Sequence, residues 1–218
     1  MILVMDWKEY LFFAFPSILV ILNPIGAAST FSALTDGKSY RQRRLIARRA
    51  CRIALGVLVF FSLLGHLLFE IFGITLGAFR IAGGFLLFGV AWQMLHAKPT
   101  RMKETQEEVD EGLLKEDIAV VPLAIPLLSG PGAITTIMVL SGGTKHLTQT
   151  LVIILCSAIA VTITYFVLVH SMRLLGLLKV TGTRVVNRIM GLMLAVVAVQ
   201  FVINGVRDVL PELVKNLR

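Results

Sequence analysis

The chain has 218 residues, 56% of them hydrophobic and only 16% charged, with a mean hydropathy of +0.84. Soluble domains run nearer a quarter charged, so this composition excludes a soluble fold and points to an integral membrane protein. The net charge of +8 raises nucleic acid as a partner, which the placement of the charges excludes.

Six apolar segments follow one another at roughly 9–34, 46–69, 74–95, 118–140, 150–170 and 185–206, each near the ~20 residues of a spanning helix. The first is not expected to be a cleaved leader. A leader needs a basic start and an unbroken apolar core, whereas Asp6, Lys8 and Glu9 mix signs and Pro16 interrupts the run. This segment carries Leu22-Asn23-Pro24-Ile25-Gly26-Ala27-Ala28-Ser29-Thr30. Pro24 removes a backbone donor and Gly26 lets the chain bend, while the following residues can restart a helix.

The connection to the second segment is basic, with Lys38, Arg41, Arg43, Arg44, Arg48, Arg49 and Arg52. The second segment contains Gly56 and Gly65, read as close helix packing, then His66 and Glu70. The third contains Arg80, expected to reach the interface as helix-end arginines do, and the packing pair Gly83-Gly84. Residues 97–117 form the one long polar connection, with Lys98, Arg101, Lys103 and Lys115. The fourth segment repeats the plan of the first: Ile125-Pro126, then Ser129-Gly130-Pro131-Gly132-Ala133-Ile134-Thr135-Thr136. The fifth has no charge from Val152 to Val169 and ends near His170. The last follows Arg173, Lys179, Arg184 and Arg188. Gln93, Gln200 and Asn204 are read as interhelical hydrogen-bonding residues, and Cys51 and Cys156 as structural thiols in no metal motif.

Fifteen of the twenty-one Lys and Arg fall in three alternate connections. By the positive-inside rule those connections are cytoplasmic and both termini lie on the outer face. The charge encodes topology, with the lipid bilayer as partner and no nucleic acid.

A shift of 107 or 108 residues aligns Pro24 with Pro131, Thr75 with Thr183, Arg80-Ile81-Ala82-Gly83 with Arg188-Ile189-Met190-Gly191, and Leu86 with Leu194. Each half holds three helices, an odd number, so the second copy enters from the opposite side. The expected fold is an all-α membrane protein of six transmembrane helices, two three-helix inverted-topology repeats with the first and fourth helices discontinuous. The repeats cover 1–96 and 118–218, joined by 97–117. A matched pair of interrupted segments points to a transporter binding site near the midplane, because broken backbone survives there only when buried or lining a cavity. Restarted half-helices offer free N–H groups to a carboxylate, and the preceding stubs offer carbonyls to an ammonium. Asn23 is read as accepting from that ammonium, with Ser129 as its counterpart.

These residues resemble the MarC family of bacterial and archaeal inner-membrane proteins, which includes the small neutral amino-acid transporter SnatA. The resemblance rests on Asn23-Pro24-Ile25-Gly26, on Pro122, Pro126 and Ser129-Gly130-Pro131-Gly132-Ala133-Ile134-Thr135, and on the six-segment layout. It implies an inner-membrane carrier of glycine, alanine and similar small amino acids. Its substrate site would be Asn23, Pro24, Gly26, Ser29 and Thr30 with Ser129, Gly130, Pro131, Gly132, Thr135 and Thr136. His66 and Glu70 are the candidates for proton coupling, and no cofactor or metal is implied. An intramembrane enzyme is disfavoured because Ser129 sits in no nucleophile elbow. A channel is disfavoured because the charges lie in the connections rather than in a ring. Export of another small solute and a non-transporting role remain the alternatives.

Overall fold

The computed structural model describes residues 7–96, 118–142 and 147–216, with the side chains at 7–10, 66, 147 and 211–216 outside that description. The expected connection 97–117, with its four basic residues, therefore lies outside the described residues. The elements are α1 Trp7–Leu22, α2 Pro24–Leu34, α3 Tyr40–Phe72, α4 Leu76–Leu95, α5 Ala119–Leu128, α6 Pro131–Gly142, α7 Leu147–Val169 and α8 Ser171–Asn216. Leu11–Leu34, Leu76–Leu95, Thr148–Val169 and Ser171–Leu210 are long and apolar enough to cross a membrane, and the bent pair α5–α6 makes a fifth such span. The remaining expected segment, 46–69, lies inside α3.

Two helices outrun their expected bounds for local reasons. Ser39 and Gln42 form a reciprocal capping box that satisfies two orphan donors, so α3 starts at Tyr40, ahead of the arginines. Its 33 residues span ~50 Å at 1.5 Å each, against ~30 Å of hydrocarbon. The surplus carries the basic residues. The expected connection before residue 185 is also helical, because Met172, Leu174, Leu175, Leu177 and Leu178 are strong helix formers. It breaks once, at Lys179 with φ 54° and ψ −179°, backbone geometry that is close to glycine-only.

The first and third basic clusters gather at one end of the molecule. Arg43 is buried; its Nη2 donates to Ser171 Oγ at 2.8 Å, and its guanidinium lies 5.5 Å from the Phe31 ring centroid. Beside it Arg44 Nε donates to the Tyr165 hydroxyl at 3.3 Å, a hydrogen bond that raises the Arg44 pKa above its ordinary value.

α4 and α8 pack antiparallel along a seam of small residues that runs the length of α4. A methyl at Gly77 would lie 3.1 Å from the Gly205 carbonyl, one at Gly84 2.7 Å from that of Ala198, and one at Gly191 3.2 Å from that of Ala91. Small residues let membrane helices approach this closely. The register carries Arg80 onto Asp208, and the two form an ion pair. Arg80 is thus 5% exposed rather than reaching the interface, while its expected counterpart Arg188 is exposed. A partner 128 residues away turns a costly buried cation into a tolerated one.

Other local expectations are corrected as well. Gly83 abuts Thr135 and Gly65 abuts Ser141, but a Cβ at Gly56 would meet nothing within 4 Å, so Gly56 is no packing residue. Gln200 Nε2 donates to Asn204 Oδ1 at 2.9 Å, one turn along the same helix rather than between helices. Gln93 Oε1 is buried with no partner among the described residues. Cys51 and Cys156 are both free and buried.

Candidate functional site

The first break is built by one asparagine. Asn23 adopts the left-handed conformation at φ 45°, ψ 66°, which Asn tolerates better than most residues. Pro24 follows at the first position of α2, where its missing N–H costs nothing. The carbonyl that Pro24 leaves without a donor, Val20 O, is taken by Asn23 N at 3.2 Å, shared with Leu19 O. Asn23 Oδ1 then accepts from Gly26 N at 3.2 Å, an N-cap. The oxygen expected to receive an ammonium is therefore engaged within its own turn. A methyl on Gly26 would overlap the Asn23 amide. Gly26 is small so that the cap can close over it.

The second break is built from backbone. The span bends by 53° between Ala119–Leu128 and Pro131–Gly142. Val121 and Ile125 leave helical geometry, each before a cis proline, Pro122 and Pro126. Ser129 donates twice to one carbonyl, Ala124 O, through N at 2.9 Å and through Oγ at 2.8 Å. A methyl on Gly130 would overlap the Pro126 carbonyl oxygen. Ser129 therefore reaches back to the stub it leaves, whereas Asn23 reaches forward to the helix it starts. Ile134 N bonds Gly130 O at 3.0 Å as α6 begins.

Two cavities flank these breaks. One of about 190 Å³ lies at the second break, lined by Gly130, Pro131, Gly132 and Ala133 with Leu127, Ile21, Leu86 and Val90. Ile21 belongs to the stub of the first break, and a methyl on Gly132 would lie 3.0 Å from its Cδ1. This cavity is thus where the two broken spans touch. It falls below the ~300–1,000 Å³ of drug-sized sites, so it suits a ligand of few atoms. The other cavity, about 650 Å³, lies between α2 and the start of α8, lined by Ser29, Ser32, Ala33, Asp36, Leu175, Lys179, Val180, Thr183 and Arg184.

The expected site residues divide between these places. Ser29 lines the wide cavity; Gly130, Pro131 and Gly132 line the small one. Asn23, Pro24, Gly26, Thr30, Ser129, Thr135 and Thr136 line neither. Ser29 Oγ donates to Ile25 O at 3.3 Å and Thr136 Oγ1 to Gly132 O at 2.9 Å, the back-bonding usual for hydroxyls in apolar helices. Of the coupling candidates, Glu70 is exposed in the last turn of α3, and the side chain of His66 lies outside the described residues. His170 is exposed, with Nδ1 2.9 Å from Phe166 O. Among the described residues no three of His, Cys, Asp and Glu gather as metal ligands. Sequence reading missed Ser32, Asp36 and Thr183. The i, i+3, i+7 spacing of Ser29, Ser32 and Asp36 was the available signal for the first two.

Residues 8–210 match the family described as MarC family integral membrane protein. The chain belongs to that family. A UPF0056 membrane protein of Methanocaldococcus jannaschii is 37% identical over 202 residues, covering 93% of this chain and 98% of that one. The UPF0056 membrane protein YvbG of Bacillus subtilis is 35% identical, covering 94% and 98%. The UPF0056 membrane protein YhcE of Escherichia coli is 30% identical, covering 95% and 96%. No solved structure matches the chain.

Proposed function

We propose that this MarC-family protein is a secondary transporter of small neutral amino acids, glycine, alanine and serine, working by alternating access. The observation that carries the reading is the small cavity at the meeting of the two broken spans. Its wall includes Gly132 and Ala133 in the first turn of α6, where helix N–H groups lack intrahelical partners and favour an anionic group. The rest of the wall is aliphatic. A carboxylate held by backbone donors, with a side chain no larger than a methyl or hydroxymethyl, fits that chemistry and that volume. Six spans in two inverted three-helix halves would place this point near the midplane. The shared plan of the breaks, each restarting at a proline (Pro24, Pro131), and the antiparallel α4–α8 seam both support the arrangement.

The charge distribution supports an inner-membrane orientation with the basic end cytoplasmic and both termini outside. No catalytic step belongs to this reading, since the Ser129 hydroxyl is spent on Ala124 O. Proton coupling through His66 or Glu70 is the variant in which an imposed pH gradient drives uptake.

The test is counterflow of labelled glycine in proteoliposomes of the purified protein. Saturable exchange competed by alanine and serine, with labelled leucine not carried, is the expected result. Absence of exchange by folded protein would return the function to another small solute or to a non-transporting role. The pocket has its own test in Gly132→Ala. The added methyl projects towards Ile21 and Leu87 side chains, which can yield, so the fold survives while the cavity shrinks. One methyl group is worth about tenfold in a tight apolar site, and the KM for alanine should rise by that factor over the KM for glycine. Equal KM values would remove the cavity from the pathway.

A further inference from the structure

We infer that the cavity between α2 and α8 is a second, charge-selective station for the same substrates at the basic end, a vestibule that captures zwitterions before the small cavity sorts them by size. The inference rests on the transport reading and adds a site to it. Ser29 and Ser32 lie one turn apart on α2, and Asp36 stands in the turn that follows its last residue, Leu34. This short polar stripe interrupts a helix that is otherwise apolar but for Thr30 (Pro24–Leu34, PIGAASTFSAL). Here the stripe faces a cavity of about 650 Å³ whose opposite wall carries Lys179, Thr183 and Arg184.

The two walls carry opposite signs. Asp36 Oδ1 accepts from Gly37 N at 3.1 Å, and among the described residues its carboxylate makes no ion pair with Lys179 or Arg184. Charges of opposite sign held apart across an open space leave room for a molecule bearing both. An amino-acid ammonium towards Asp36 and its carboxylate towards Lys179 and Arg184 would complete both partners at once. The stripe begins with Ser29, six residues past Asn23, so it leads from the first break, ~9 Å away along the helix, to the basic end. Lys179 is also the single break in α8, in backbone geometry that side chains rarely adopt, and such outliers gather at functional sites.

Among the described residues α6 offers no such opening. Gly132, Ala133 and every residue from Thr135 to Ser141 are buried. Gly142 lies against Phe69 and Leu76. The wide cavity thus lies beside basic residues, while α6 is packed along its described length.

The vestibule is wide enough for larger amino acids, so it selects by charge and not by size. Ser32→Cys in the full chain, reconstituted in phosphatidylcholine liposomes, reports its occupancy through reaction with a membrane-impermeant maleimide. The native Cys51 and Cys156 are buried and give a slow background. Glycine, alanine and leucine should each slow labelling, about tenfold at roughly ten times the half-protecting concentration. Acetate and methylamine, each carrying one of the two charges, should not. Asp36→Asn and Arg184→Gln should each raise the half-protecting glycine concentration about threefold, as expected for exposed ion pairs.

Labelling untouched by glycine while counterflow runs would overturn the vestibule and leave the transport reading standing. Protection without counterflow would do the reverse. Slowing by phosphatidylglycerol in the liposomes, with none by glycine, would make the cavity a lipid-headgroup site and overturn the proposal. Thr183→Cys, on the facing wall, repeats the measurement should Ser32→Cys fail to fold.

Discussion

The two broken spans share a sequence plan and differ in what holds them. Leu11–Leu34 runs on as one span through its interruption, whereas Ala119–Leu128 and Pro131–Gly142 meet at 53°. At the first break a side chain makes the turn: Asn23 takes the left-handed conformation and caps α2. At the second the backbone makes it, with Gly130 pressed on the Pro126 carbonyl and one carbonyl, Ala124 O, serving both donors of Ser129. The surroundings differ in the same sense. α2 presents a polar stripe to a wide cavity, while α6 is buried along nearly its whole length. The side-chain cap at the first break can be opened by a rotamer change, whereas the close contact of Gly130 with the Pro126 carbonyl at the second has no rotamer to yield.

The largest expected effect tests the backbone side of that contrast. In Gly130→Ala the methyl overlaps a carbonyl oxygen of the main chain, which has no rotamer to yield. Overpacking of buried sites costs ~1–3 kcal/mol and sometimes more, and a collision with backbone belongs at the upper end. Thermal unfolding in detergent should show a loss of about 3 kcal/mol or complete failure to fold. A near-neutral Gly130→Ala would mean the second break is as yielding as the first.

Next come Asn23 and Ser129, the polar residues that open the two breaks. Asn23→Ala loses the cap, worth about 1 kcal/mol, and forces alanine into the left-handed region at about 1–2 kcal/mol, which sum to about 2–3 kcal/mol. Asn23→Gly keeps the backbone conformation at little cost and should lose only a few tenths. Ser129→Ala removes one of two hydrogen bonds to Ala124 O, the backbone one remaining, and should cost about 1 kcal/mol. The order Asn23→Ala, then Ser129→Ala, then Asn23→Gly in melting temperature is the measurable content. A Ser129→Ala loss exceeding that of Asn23→Ala would reverse the assignment of the two breaks.

Much of this was legible in the letters, and the failures share a cause. The broken segments were found because proline and glycine punctuate an apolar run wherever it occurs. Asn23-Pro24 also announced a helix start by its chemistry. What a side chain does at such a start was less legible: Asn23 Oδ1 is taken by Gly26 N because the nearest orphan donor outcompetes a distant ligand. The bounds of α3 and α8 were missed because arginines and leucines in a connection are good helix formers, and polarity alone reads as loop. Arg80 was misread because its partner, Asp208, is 128 residues away and becomes a neighbour only through the register of the α4–α8 seam. Ser32, Asp36 and Thr183 fell between the reading of the break and that of the topology. No local rule joins α2 to a helix start nearly 140 residues later.

The finest test of the contrast is a double-mutant cycle between Asn23 and Gly26. In the wild-type chain Gly26→Ala puts a methyl where the Asn23 amide lies. The amide swings away, the cap is lost, and stability should fall by about 1 kcal/mol. In an Asn23→Gly background there is no amide to displace, and no cap to lose. The same methyl then replaces a helical glycine near the start of α2, where alanine is favoured by up to about 1 kcal/mol. The sign of the substitution should therefore invert between the two backgrounds, an interaction energy of about 1–2 kcal/mol between residues in contact. Additive losses would mean that Gly26 is required by something other than Asn23, and the first break would then be held, like the second, by its backbone.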